Sequence, residues 1–335
     1  MRIAIVKLSA LGDIVHAMIV LQFIKKFNME ISIDWIVEKR YKELLDCNPD
    51  IDNIHSVDLR MALKKKSIFM LVKELRKLRK LGPYDLVIDM QGLIKSAIIS
   101  KLVPSLSTLG FDKFSSREGM ASIFYNKTFN CPYDSNVIER NIKIIDFALG
   151  LITDRREILN KVPLLYPSEV ALNDNLSSSK KNILLIPGAS FSSKCYPVNK
   201  LAEISTLIDA NFLVIWGNQE EKKMSLQIQK ISSKIIICEK LAINALAALI
   251  SKVDLVIGPD TGPTHIAWAL NVPSITLFGP TPGHRNAFET SVNRVIESES
   301  NVNPYKIDKH DYSIEKININ KIIKIAEELL NKEAN

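Results

Sequence analysis

Short apolar runs alternate along the chain with segments whose apolar positions recur at helical spacing, which predicts strands and helices in turn. In the first half, strands are expected at 2–7, 32–38, 53–59, 85–91 and 107–111. Helices are expected at 14–26, 39–47, 93–102 and 137–151. A basic amphipathic helix at 63–80 places Ile68, Leu71, Val72, Leu75 and Leu78 on one face. A polar stretch at 166–181 interrupts the alternation and reads as a linker. The pattern then restarts, with strands at 182–187, 212–216, 235–238, 254–258 and 274–278 and helices at 219–231 and 243–251. The last segment, 313–331, reads as a helix that packs back across the first domain. Two successive β/α runs predict an α/β protein of two doubly wound, Rossmann-like domains facing one another across a cleft. The domains are assigned to 1–165 and 182–312, with 313–335 as a helical tail.

The stretch 254–286 concentrates the candidate chemistry. Its apolar start is that of a parallel strand covered on both faces. The break Gly258-Pro259-Asp260-Thr261-Gly262-Pro263 then opens into an apolar helix. Thr261 suits its cap, and Pro263 sits where a missing N–H costs nothing. A helix N-terminus rising from such a loop offers backbone donors and a positive dipole end to a phosphate.

Composition narrows the class. The chain has 335 residues, 47% hydrophobic and 24% charged, which is the balance of a soluble globular protein with room for two cores. No run approaches the roughly 18 apolar residues of a membrane span, and the N-terminus reads as a strand rather than a signal peptide. Cys47, Cys131, Cys195 and Cys238 show no paired spacing, which fits reduced thiols, and the histidines show no metal-ligand spacing. The net charge of +7 is uneven: residues 1–165 hold 26 Lys and Arg against 19 Asp and Glu, and the remainder balances. A basic first half is either a solvated surface or the half that meets an anionic partner.

Three ordered motifs, KLSALGDIVHAM at the N-terminus, DMQGLIKS in the middle and GPDTGPTHIAWAL near the end, resemble those of the ADP-heptose:lipopolysaccharide heptosyltransferases. The nearest likeness is to the type that adds the first heptose to the Kdo sugar of lipid A. The type adding the second heptose is the alternative. The resemblance implies a GT-B fold and an inverting transfer without metal or cofactor. It implies ADP-L-glycero-β-D-manno-heptose as donor and Kdo-lipid A as acceptor. It also implies a peripheral place on the anionic cytoplasmic face of the inner membrane.

Carried onto this sequence, the resemblance makes Asp13 the general base, although an Asp at a strand-to-helix turn is also an ordinary helix cap. His16, one turn on, contacts the acceptor or packs. Lys194 would offset the leaving diphosphate in place of Mg²⁺. Ser190 precedes it, and Ala189 stands where the family often has a hydroxyl, leaving only its backbone to donate. Glu220 best matches the ribose-binding carboxylate, with Glu221 the alternative, and Leu241 would border the adenine. Thr261 and Gly262 would offer N–H groups to the diphosphate and His265 a further donor. Asp260, which would repel that diphosphate, is assigned to a sugar hydroxyl or to bracing the loop. For the acceptor's phosphates and carboxylates the candidates are Arg60, Lys64, Gln91, Lys95 and Arg117.

Two other classes fit the sequence less well. A nicotinamide oxidoreductase would need G-x-G-x-x-G after the first strand, where KLSALGD has one glycine. A non-enzymatic sugar-nucleotide or anionic-lipid binding protein would share the architecture but release no ADP. Nucleic acid is disfavoured because no aromatic platform is interleaved with the basic residues.

Overall fold

A computed structural model of the chain describes residues 1–168 and 175–331, and it divides into units 1–166 and 167–335. Residues 169–174 of the expected linker and 332–335 of the expected tail lie outside the described residues.

The first unit runs β1 (Arg2–Val6), α1 (Leu11–Ala17), α2 (Ile19–Phe27), β2 (Ser32–Glu38), α3 (Lys42–Leu45) and β3 (Asn53–Val57). It continues with α4 (Leu59–Lys64), α5 (Ile68–Leu78), β4 (Tyr84–Asp89), α6 (Ile94–Leu102), β5 (Ser105–Phe111), β6 (Lys127–Phe129), α7 (Val137–Leu149) and α8 (Arg155–Leu159). The second unit runs β7 (Asn182–Leu185), α9 (Val198–Leu207), β8 (Asn211–Val214), α10 (Gln219–Ile231), β9 (Ile235–Ile237) and α11 (Ile243–Ile250). It ends with β10 (Leu255–Pro259), α12 (Gly262–Ala269), β11 (Ser274–Phe278), α13 (Gly283–Asn286), β12 (Asn293–Glu297) and α14 (Ile319–Leu330).

Among the described residues each unit holds a parallel six-stranded sheet, ordered β3-β2-β1-β4-β5-β6 in the first and β12-β11-β10-β7-β8-β9 in the second. Both orders reverse once, between β1 and β4 and between β7 and β10. At such switch points the loops leaving two adjacent strands diverge and open a crevice for ligand. The central strands are apolar because both faces are covered: Leu255 to Pro259 is buried throughout, as is Ser274 to Phe278.

Several expectations are corrected. The single helix at 63–80 is two helices. The chain breaks at Lys65–Ser67, where Lys66 has φ of 48° and the Ser67 hydroxyl accepts from Met70 N–H to start α5. Leu71, Leu75 and Leu78 pack on the sheet as expected, whereas Ile68 and Phe69 are each 78% exposed. The last helix packs its apolar stripe into the second unit. Ile322, Ala326 and Leu329 of α14 are buried in the second core, beside Leu255, Leu277 and Leu201. An amphipathic helix has one apolar stripe, and this one is spent there.

Candidate active site

In the second unit, the loops after β7 and β10 leave neighbouring strands at the switch point. Lys194, in a short turn at Ser192–Lys194, points its ammonium at Asp260, with Nζ 2.7 Å from Oδ2. The other carboxylate oxygen lies 3.0 Å from Nε2 of His265 in the first turns of α12, and Thr281 donates to Oδ2 at 2.9 Å. All four side chains are buried. Burial alone would push the Asp260 carboxyl up, but the Lys194 charge and the His265 hydrogen bond outweigh it and hold the group well below the usual carboxylate range. With Asp260 ionised, Nε2 is the protonated nitrogen of His265. Asp260 is thus fully engaged by protein donors. Of its two expected roles, the geometry matches bracing. Lys194 spends one of its three protons on Asp260 and keeps two for another acceptor.

Thr261 and Gly262 are half-buried at the start of α12, and Thr264 ties that start down by donating to the Pro259 and Thr261 carbonyls. Ala189 is half-buried, Ser190 is exposed, and the Ala189 N–H is directed to the Cys195 thiol. Leu241 is half-buried in the loop before α11.

The two glutamates after β8 separate clearly. Glu220 turns outward and pairs with Lys223 at 2.8 Å. Glu221 folds back, accepting from Gly217 N–H at 2.6 Å and from the Asn218 amide at 2.7 Å. It also fills the space beside Gly188, where an added Cβ would lie 2.2 Å from its Cγ. The carboxylate set among the strand ends is therefore Glu221, which sequence spacing had ranked second.

In the first unit, Asp13 stands exposed in the first turn of α1, with Oδ2 accepting from Ala10 N–H at 2.9 Å. It caps locally and still presents itself to solvent, so the two readings of this residue coexist. Arg60, Lys64, Lys95 and Arg117 are exposed. His16 is only 4% exposed on the buried side of α1, which favours packing over acceptor contact. Gln91 is used internally: its carbonyl oxygen accepts from Leu8 and Ser9 N–H, each at 3.1 Å.

One residue escaped the sequence reading. Glu38, at the end of β2, is 5% exposed; burial pushes its carboxyl up, against Lys95 and a hydrogen bond from the Arg60 backbone. A lone Glu closing a strand carries no local signal of this. Among the described residues, no group of three His, Cys, Asp or Glu side chains is placed to hold a metal ion.

The chain is similar in sequence and in fold to known proteins. The sequence matches glycosyltransferase family 9 (heptosyltransferase) over residues 69–313. It is 38% identical to lipopolysaccharide heptosyltransferase 1 of Campylobacter coli, covering 99% of this chain and 100% of that protein. It is 26% identical to the protein of the same name from Pseudomonas aeruginosa, covering 87% and 82%. In fold it resembles the E. coli heptosyltransferase WaaC with ADP, with a TM-score of 0.80, 21% identity and coverage of 98% and 100%. It also resembles E. coli heptosyltransferase II, with a TM-score of 0.71, 19% identity and coverage of 98% of both chains.

Proposed function

The chain belongs to glycosyltransferase family 9, the heptosyltransferases, and from that membership we propose that it moves L-glycero-D-manno-heptose from ADP-heptose to the Kdo sugar of a lipid A acceptor. The observation that carries the donor half is the buried Lys194–Asp260–His265 cluster at the foot of α12. It holds a cation with protons to spare beside helix N–H groups, the environment a departing diphosphate needs. The relatives named heptosyltransferase 1 support the first-heptose acceptor.

In the proposed step the acceptor hydroxyl attacks the anomeric carbon of heptose from the face opposite ADP. Asp13 takes the hydroxyl proton, the new C–O bond forms, and the bond to the diphosphate breaks with its electron pair leaving on ADP. Proton transfer falls late, as the attacking oxygen loses electron density and its proton becomes acidic. Lys194 and the Gly262 amide take up the charge arriving on the diphosphate, the Thr261 N–H being donated to Thr264 Oγ1 at 3.3 Å. We propose that this charge stabilisation serves in place of a divalent cation. ADP release at an undiminished rate in EDTA is then expected, and a requirement for added metal would overturn that part.

We further propose that the enzyme works from the anionic face of a membrane. No helix among the described residues is long and apolar enough to cross one. The α4–α5 hairpin instead carries exposed Leu63, Ile68 and Phe69 beside Lys64, Lys65 and Lys66, a combination suited to an anionic bilayer surface.

The decisive experiment is Asp13→Asn, with ADP release followed in the presence of ADP-heptose and Kdo-lipid A. Turnover is expected to fall by about 100-fold or more, with donor binding retained. Wild-type turnover in a folded variant would remove Asp13 from the chemistry.

A further inference from the structure

The strands β1 and β4 are neighbours, with Val6 opposite Asp89, so the loops that follow them leave the sheet side by side. Two side chains stitch these loops together. Lys7 donates to the Met90 carbonyl at 2.8 Å, and Gln91 reaches back across the gap to Leu8 and Ser9. Both of its partners there are N–H donors, so only the carbonyl oxygen of the Gln91 amide can face them. The next N–H along the chain, that of Ala10, is the one that Asp13 accepts. Three consecutive amides are therefore fixed, two by Gln91 and the third by Asp13 itself.

Gln91 is in turn held from behind. Asp89, fully buried at the end of β4, accepts from Gln91 N–H at 2.7 Å, from Gly92 N–H at 3.2 Å and from the Tyr125 hydroxyl at 2.7 Å. Tyr125 reaches Asp89 across Gly110, where a Cβ would lie 2.3 Å from its ring. A rigid line of contacts thus runs from β5 through β4 to the loop that carries Asp13.

We propose that Gln91 is a positioning residue for Asp13, its carbonyl oxygen fixing the 8–10 loop so that the Asp13 carboxylate meets the acceptor hydroxyl. Its accepting oxygen is already spent on two backbone amides. A general base gains from being held still, since displacement by about 1 Å costs about 100-fold in rate. This role rests on Asp13 being the base, so the test separates the two claims.

The experiment is a double-mutant cycle read as steady-state ADP release with ADP-heptose and Kdo-lipid A each varied. The cycle uses wild type, Gln91→Met, Asp13→Asn and the double variant, with Gln91→Glu beside them. Q91M is expected to lower kcat about 10- to 100-fold with the donor KM unchanged. On the D13N background the same substitution should cost less than about twofold, because the group it positions is already gone. Q91E keeps the accepting oxygen and should recover most of the loss. Equal losses in both backgrounds would overturn the proposal, as would a raised acceptor KM with kcat untouched. A folded Q91E as slow as Q91M would overturn it too. Wild-type turnover in D13N alone would instead remove the base, and with it this role. That result is read before any Gln91 variant enters.

Discussion

Lys194 and Asp260 form an ion pair at 2.7 Å in which both side chains are about nine-tenths buried. Removing one partner from such a pair leaves a charge without solvent or counterion, which costs on the order of 3 kcal/mol. Asp260→Asn is therefore expected to lower the Tm of the second unit by roughly 6–12 °C. The pH dependence has a defined sign. The folded state holds the Asp260 carboxyl below its unfolded value, so it binds fewer protons there. The stability this group supplies is complete above about pH 4 and declines as the pH falls further. Thermal unfolding of wild type and D260N from pH 8 to 3 should show a constant gap that narrows only below about pH 4. A gap that closed well above pH 4 would mean that a group other than this carboxylate carries it.

Glu221 and Gly188 make a second prediction. Glu221→Gln should weaken ADP binding about 10-fold or more, the loss expected for a hydrogen bond to a charged group, whereas Glu220→Gln should change it by less than about twofold. Gly188→Ala, whose methyl would displace the Glu221 side chain, should reproduce the first effect. Calorimetric titration with ADP distinguishes the three. A larger loss in E220Q than in E221Q would return the ribose to Glu220.

What the sequence made legible follows from the range over which each signal acts. The buried strands were readable because a strand covered on both faces must be apolar along its whole length, as at Leu255–Pro259. The loop before α12 was readable because Gly262 and Pro263 mark a helix start locally. Two of the four edge strands among the described residues, β6 and β12, were not. β6 is short and mostly exposed, and β12 carries Arg294 and Glu297 on a strand with one neighbour. Residue roles decided by strand order were equally hidden. Gln91 resembled an acceptor contact until the pairing of β1 with β4 placed Leu8 and Ser9 against it. Glu220 and Glu221 are adjacent in sequence, and only the fold of the loop shows which one turns inward.

The exposed tip of the α4–α5 hairpin gives a third prediction. Binding to vesicles containing about 30% anionic lipid should exceed binding to neutral vesicles and weaken with salt, since each lysine near the surface contributes about 1 kcal/mol. The double substitution Ile68→Glu with Phe69→Glu should lower co-sedimentation at least 10-fold, with ADP affinity as the control for folding. Equal sedimentation of wild type and variant would move the membrane contact elsewhere on the chain.

Lys161, following α8, is 5% exposed, and burial pushes its ammonium down to about 7 from an ordinary value of 10.5. Between those two values the unfolded chain holds a proton that the folded chain has given up, so this group makes stability rise with pH across about 7 to 10.5. Below that window both states are protonated, and the folded state carries the cost of keeping an ammonium largely out of water. Lys161→Met removes the charge while keeping most of the side-chain length. Its stability gain should be largest at or below pH 7, on the order of 2–5 kcal/mol, and should shrink to little above pH 10. Urea unfolding of both proteins at pH 7 and pH 10 reads the difference directly, because titrations common to both cancel. A gain independent of pH would mean that Lys161 is unfavourable for its packing and not for its charge.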